Sequence, residues 1–433
     1  MLRCHRTRSL RLRFGALFAV MSLGAARSAE ASSSTEAPAT SPSITLSRAI
    51  HEGALRSPVV AESSVARTAA VAFAREPGSS LPSAPQLTIL AGARAPRGLP
   101  TGPEAVVSVQ QEIAARGLGS ARRRAAAWTA RTAESELERA RLEGGAAAAL
   151  AWIDLLEAQS LVRLRSSGVE DAAKLARLAE VRVASGTATA VERSLAKAEV
   201  GNAELAVLDG EGRATEARIA LAHATGQPLD RAFFADGVLD GAGDVPTDER
   251  LASRGVGDHP AVRAADGRAA QSAAEASVAR ASAGPSFMLG ATAWREGSGD
   301  RAAALTLTVP LPFFDPARYD TARQAAIAAA ASGHASRVRA ELEREVHLAV
   351  HDSKHAREVR AQLRDGVVKP LGSALGTAMT AYAAGTNDLG VVLLARRSAL
   401  AAEERLVVAM ADVWRADVRV SVVAGTLLHG AGR

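Results

Sequence analysis

The sequence predicts an α+β chain of long antiparallel helical hairpins with four β-strands set among them. Three observations carry that prediction. Alanine dominates the apolar residues, and aromatic residues make up only 3% of the 433. Large globular cores use bigger side chains, so this composition favours long helices packed closely side by side. The stretch Leu305-Thr306-Leu307-Thr308-Val309-Pro310-Leu311-Pro312-Phe313-Phe314-Asp315 opens with a period-2 alternation, Leu305, Leu307 and Val309 on one face and Thr306 and Thr308 on the other. Finally, the second half repeats the first: Pro58-Val59-Val60 corresponds to Pro260-Ala261-Val262 (260 − 58 = 202), Pro85 to Pro285 (285 − 85 = 200) and Gly186 to Gly385 (385 − 186 = 199). Self-similarity of this kind decides architecture before any single motif does.

The amino terminus reads as a secretory signal over residues 1–31. Arg3, Arg6, Arg8, Arg11 and Arg13 form a basic region, and Phe14 to Ala26 an apolar core too short to span a bilayer. Ala29-Glu30-Ala31 supplies a cleavage site, with Ala26-Arg27-Ser28 an alternative. The only cysteine, Cys4, lies in that segment, so the mature chain has neither a disulfide framework nor a cysteine metal site. The formal net charge is +6, but much of the arginine excess sits in the signal. No Lys/Arg patch interleaved with aromatics and no nucleic-acid motif is present, so no nucleic-acid partner is expected. After the signal no apolar run is read as a transmembrane helix, so a membrane-inserted form would enter as strands.

A Ser/Pro/Thr/Ala linker covers 32–43, and the first repeat 44–226. Within it, Ile44, Leu46, Ala49, Ile50 and Leu55 mark a helix punctuated by Ser57-Pro58, and Val59 to Arg75 a second one. Gln86 to Ala91 and Val106 to Glu112 are strand candidates, with Leu87, Ile89, Val107 and Val109 as apolar positions. From Ser120 to about Val183 there is no proline, and a second run goes from Ala188 to Ala224. At 1.5 Å per residue the first is a rod of roughly 90 Å, which calls for coiled-coil-like packing. Residues 227–257 read as a connector with little regular structure, 258–420 as the second repeat and 421–433 as a tail. The second repeat carries the strands Ser286 to Trp294, with Phe287 and Leu289 apolar, and Leu305 to Val309.

Each strand is about the length that crosses a tilted membrane barrel, and Phe287, Trp294, Phe313 and Phe314 stand near strand ends, as in an interface girdle. Four strands leave two bare edges, and hydrocarbon does not tolerate open edges. Strands that span a membrane here require several chains to close one barrel.

The arrangement resembles the TolC family of outer-membrane efflux proteins, and most closely its metal-efflux branch. The resemblance covers Ile44 to about Val420. It rests on Leu46-x-x-Ala49-Ile50-x-x-x-Ala54-Leu55-x-Ser57-Pro58, on His259-Pro260-Ala261-Val262, on Val309-Pro310-Leu311-Pro312-Phe313-Phe314-Asp315, and on Tyr382-x-x-Gly385-Thr386. It implies a homotrimer whose chains each give four strands to a twelve-stranded β-barrel in outer-membrane lipid, continued by a helical α-barrel through the periplasm. It further implies a periplasmic adaptor and an inner-membrane transporter of the resistance-nodulation-division type as partners, with no cofactor and no chemistry. Metal cations or small toxic compounds are the expected cargo. The alternatives are the same architecture serving type I protein secretion, or a soluble periplasmic coiled-coil scaffold.

Two glycine turns, Arg182 to Thr187 and Ala381 to Thr386, read as hairpin tips where a helix stops in left-handed geometry. The resemblance makes Val183, Gly186, Thr187, Tyr382, Gly385 and Thr386 adaptor-docking positions. At the tunnel entrance, drug-efflux members carry aspartates; here Val391 and Leu394 occupy those positions, with Asp388 the nearest carboxylate. His347, His351 and His355, at i, i+4, i+8, share one helix face and could hold a transition metal through neutral imidazoles. With no cysteine to assist, and with Asp352 and Lys354 beside them, they are read as a solvated stripe and no metal is assigned. No Gly-rich phosphate loop, H-E-x-x-H motif or Gly-x-Ser-x-Gly elbow occurs, and no enzyme is expected.

Overall fold

Ser57 and Pro58 divide the first helices. The computed structural model describes residues 43–430, apart from 77–80, 82, 95–96, 99–101, 115–116, 231–232, 242–255, 285 and 310–316. In it α1 (Leu46–Arg56) starts at Thr45, whose hydroxyl accepts from the Arg48 N–H at 3.4 Å, and stops at Ser57. Pro58 then opens α2 (Pro58–Arg75) at a position where a missing N–H costs nothing. Strands β2 (Gln86–Arg94) and β3 (Gly102–Ala114) lead to α3 (Leu118–Ala184), 67 residues and about 100 Å long at 1.5 Å per residue. α4 (Ala190–Ala224) returns alongside it. The signal and nearly all of the linker lie outside the described residues.

The second half is built on the same plan. It contains α5 (Pro260–Ser282), β5 (Ser286–Arg295), β6 (Arg301–Thr308), α6 (Ala317–Leu363), α7 (Lys369–Ala383), α8 (Leu389–Val423) and the short α9 (Leu427–Gly430). The span 317–383 lies at a constant offset from α3 (317 − 118 = 383 − 184 = 199), and α8 at the same offset from α4 (389 − 190 = 199). The copies differ in one respect. α3 is unbroken, whereas α6 and α7 are separated by a π-helical turn, Arg364–Val368. Pro370 stands two residues past its end, and a proline inside a helix lacks the N–H its preceding turn needs; a wider turn accommodates that loss.

α3 is the spine of the structure. α1 crosses it where Gly53 meets Gly144: a Cβ on Gly53 would stand 2.5 Å from both the Gly144 carbonyl oxygen and the Ala148 Cβ. The mid-run pair Gly144-Gly145 is therefore a packing site. Around it Ile50, Trp152, Leu155, Leu156 and Leu221 are buried, and the Trp152 indole donates to the Ile44 carbonyl at 2.7 Å. The connector is packed more firmly than the sequence suggests. Phe234–Ala235 forms β4, parallel to β1 (Ser43–Ile44), and Phe233 and Leu239 are buried in the same core. The residues read as a tail do likewise: α8 runs on to Val423, and Leu427 is buried.

Three further expectations change. β3 begins at Gly102 rather than Val106. β6 ends at Thr308, leaving Val309 just beyond the ladder, because Pro310 after it has no N–H to donate. α3 does contain a stretch long and apolar enough to cross a membrane by length and composition. More than half of that stretch is buried against the rest of the chain, as in a core helix.

His259, in the His259-Pro260 motif, is a cap. Its Nδ1 accepts from the Ala261 N–H at 3.2 Å and its Nε2 faces the Val422 carbonyl at 3.0 Å, which calls for the neutral ring with Nε2 protonated. Burial holds its pKa below the usual histidine value.

Gly144→Ala should destabilise the protein by roughly 1–3 kcal/mol, the ordinary cost of overpacking, since the added Cβ would run into Ser57 Oγ and the Gly53 carbonyl. Thermal unfolding of the purified variant measures this, and an unchanged midpoint would refute the close crossing.

Candidate functional site

The four long strands form one antiparallel sheet in the order β2-β3-β5-β6. Antiparallel partners share a face, so the register sorts the side chains. Leu87 pairs with Val109 and Ile89 with Val107; Val109 pairs with Ala291, and Ala291 with Leu305. Leu289 joins Leu307 on this face, and Phe287 joins Ile113. The opposite face carries Thr88, Ser108, Gln110, Thr292 and Thr306. This face is apolar apart from Gln111 and, at its far end, Arg295 and Arg301, and its large apolar side chains are exposed, from 38% at Phe287 to 85% at Leu305. Val309, 53% exposed, lies just past its end. An uncovered apolar face of this extent marks a surface made for something other than water. Among the described residues β2 and β6 each pair on one side only.

The register corrects one girdle residue. Trp294 pairs with Val106 and Ala302, on the face of Thr292 and Thr306, opposite to Phe287. Phe313 and Phe314 lie outside the described residues, as does most of the Val309 to Asp315 motif.

At the far end of the helices the tips are matched. Gly186 has φ +74° and Gly385 φ +79°, the left-handed geometry that only glycine adopts freely. In the first, the Thr187 N–H and hydroxyl both close on the Arg182 carbonyl, at 2.9 and 3.1 Å. In the second, Thr386 does the same to the Ala381 carbonyl, both at 3.0 Å. Thr189 and Glu192 form a capping box at the start of α4, and Asp388 caps α8 by accepting from the Val391 N–H at 3.1 Å. Gly186, Thr187, Gly385 and Thr386 are exposed, and Val183 is half-buried.

Tyr382 is not available for docking. It is fully buried, with the Arg182 guanidinium 4.3 Å from its ring centre. Its hydroxyl donates to Glu192 at 3.2 Å, while Arg182 donates to the Tyr382 and Thr187 carbonyls, each at 3.0 Å. Burial and the Glu192 charge push its pKa above the usual tyrosine value. Arg182, Tyr382 and Glu192 thus tie the two tips together. Beside the second tip a shallow groove of about 640 Å³ runs along Ser373, Gly376, Thr377, Thr380 and Ala384.

Val391 and Leu394 both point outward, 44% and 69% exposed, while Val392 and Leu393 between them are buried. Two residues beyond Leu394, Arg396 is buried against Glu199, 2.6 Å away, and the Gly168 carbonyl at 2.6 Å; Arg397 holds the other Glu199 oxygen at 2.7 Å. Sequence reading missed this cluster and the Arg182–Glu192 bracket, because their partners lie about 190 or more positions apart and nothing local marks them. His347, His351 and His355 do lie on one exposed face, the last two with parallel rings 6.1 Å apart. No group of three or more His, Cys, Asp or Glu side chains suited to a metal occurs among the described residues.

Residues 50–227 match the family model described as outer membrane efflux protein. The first part of the chain is thus similar to that family. The chain is also similar to the cobalt-zinc-cadmium resistance protein CzcC of Cupriavidus metallidurans, at 30% identity over 200 residues, 46% of this chain and 48% of that one. The match thus spans about half the length of that curated relative. Across 88% of the chain the fold is that of the outer-membrane channel OprN (TM-score 0.74, 20% identity, 90% of that chain). It also matches VceC of Vibrio cholerae (TM-score 0.73, 21% identity, 88% of this chain and 96% of that one). A third such structure is CusC, described in connection with transmembrane channel formation (TM-score 0.66, 15% identity, 88% and 92%).

Leu307→Arg places a charge on the apolar face of the sheet, at a cost of about 2–4 kcal/mol if that face lies near a bilayer midplane. We expect the variant to be depleted from the outer-membrane fraction; wild-type recovery of folded protein there would refute the face assignment.

Proposed function

We propose that this chain is one protomer of a trimeric outer-membrane channel that passively carries substrate from an inner-membrane transporter, through a periplasmic adaptor, to the exterior of a Gram-negative cell. The observation that carries this reading is the sheet: one face largely apolar and exposed, the other bearing most of its polar residues, and both edges unpaired among the described residues. Three such sheets close a twelve-stranded barrel with lipid outside and water inside, which removes every open edge. The long hairpins continue the barrel as a periplasmic tunnel. The channel does no chemistry; energy comes from a transporter of the resistance-nodulation-division type. The similarity to a cobalt-zinc-cadmium resistance protein supports metal cations as cargo, with small toxic compounds as the wider class.

The exposed tips at Gly186, Thr187, Gly385 and Thr386 are the adaptor-docking surface, and the groove of small residues beside the second tip suits an inserted helix. Gly385→Val forces a β-branched residue to positive φ. We expect loss of efflux with assembly retained; efflux that persists, without adaptor crosslinking beside either tip, would reject the docking assignment.

Val391 and Leu394 form the entrance. Three copies of each make two apolar rings, which resist ions by dewetting rather than by attracting them. Asp388 spends one oxygen on the α8 cap. In a planar bilayer the wild-type channel should be weakly cation-selective and little blocked by multivalent cations, and Val391→Asp should add both properties. Strong wild-type block from the periplasmic side would move the gate to Asp388, which Asp388→Asn then tests while keeping the cap acceptor.

A further inference from the structure

Outside the signal the longest arginine run is Arg122-Arg123-Arg124, and the fold gathers further arginines around it. The register puts Gln86, Ala114, Ser286 and Thr308 at one end of the sheet. The end of α2, the start of α3, the end of α5 and the start of α6 all adjoin that end. Segments 70–76, 118–131, 276–283 and 317–326 hold eight arginines against Glu76 and Asp320, and the sheet adds Glu112 at that end. Arg75, Arg123, Arg124, Arg280 and Arg323 are exposed. Exposed aromatics stand at the same level, Phe73 at 62% and Tyr319 at 74%, and Arg131 lies 5.2 Å from the centre of the Trp128 ring. At the opposite end the charges nearly balance: Arg94, Arg97, Arg295 and Arg301 face Glu104, Glu296 and Asp300. The asymmetry therefore belongs to one rim of the apolar face.

We infer that this rim binds anionic phospholipid headgroups of the periplasmic leaflet. The inference rests on the membrane reading proposed above. Guanidinium groups pair bidentately with phosphate, and aromatic side chains settle at the water–lipid boundary. A belt directly below an apolar wall brings the headgroup phosphates within reach while the acyl chains cover Leu87, Leu305 and Leu307. The occupant is chosen by charge complementarity and by continuity with the apolar face. The consequence is a fixed depth and a fixed orientation of the barrel in the bilayer.

The test reconstitutes the full mature protein into phosphatidylethanolamine vesicles with and without 20 mol% cardiolipin, then reads the lipids that stay bound after mild detergent extraction by native mass spectrometry. We expect cardiolipin to be retained in preference to phosphatidylethanolamine, the preference to fall roughly fivefold for each charge removed in R123Q, R124Q and R323Q, and to shrink in high salt. The Lys versions of the same variants should keep most of it. Retention that ignores both salt and the three substitutions overturns the inference while leaving the channel intact. The wild-type salt dependence reads out even if a variant assembles poorly. Failure to enter vesicles of either composition would instead sink the membrane reading, and this inference with it.

Discussion

A strand surrounded by hydrocarbon must have both edges paired, because each unsatisfied backbone group there costs several kcal/mol. That constraint organises the whole molecule. The chain joins its two hairpins across the repeat, with β3 and β5 paired over ten positions from Ala105↔Arg295 to Ala114↔Ser286. The outer edges of β2 and β6 remain open. Under the proposed trimer those edges pair with neighbouring copies, and the apolar face from Leu87 to Leu307 gains its lipid cover in the same step. An exposed apolar sheet and an unpaired edge would be hazards in a soluble monomer. Here both follow from a single requirement for closure.

The helical part obeys a different rule. Long Ala-rich helices bury little apolar area per residue, so they must come close together to gain from packing. Gly53 against Gly144 is the extreme case, with Trp152 filling the core just beyond the crossing. Buried charge then sets which helix lies where. Glu199 is shared by Arg396 and Arg397, and Asp417 pairs with Arg357 at 2.8 Å. Buried ion pairs add little net stability, but a mispaired one is costly, which makes them better at selecting a register than at strengthening it.

Duplication explains the tips, and divergence within it explains their difference. Positions 192 and 391 are related by the repeat (391 − 192 = 199), as are 183 and 382 (382 − 183 = 199). In the first tip position 192 is a glutamate that completes a capping box and receives the Tyr382 hydroxyl. In the second it is Val391, outward-facing and capped by Asp388. One copy has thus become the bracket of the hairpin pair and the other offers an apolar surface. The π-helical turn before Pro370 adds to the asymmetry, since only the second hairpin is interrupted.

The sequence by itself determined whatever depends on near neighbours. Period-2 alternation at Leu305, Leu307 and the other strand positions, proline-free runs, the Ser57-Pro58 break and the glycines at 186 and 385 are local preferences of backbone and side chain, legible without a fold. The duplication was legible too, as was the resemblance it supported. Only the tertiary structure decided what depends on distant partners. It turned Trp294 to the polar face, buried Tyr382 beneath Arg182, packed the connector and tail into the core, and drew arginines from four helix ends onto one rim. Each of these rests on contacts between residues far apart in the chain, and strand register or helix crossing, which no local pattern encodes, sets which of them meet.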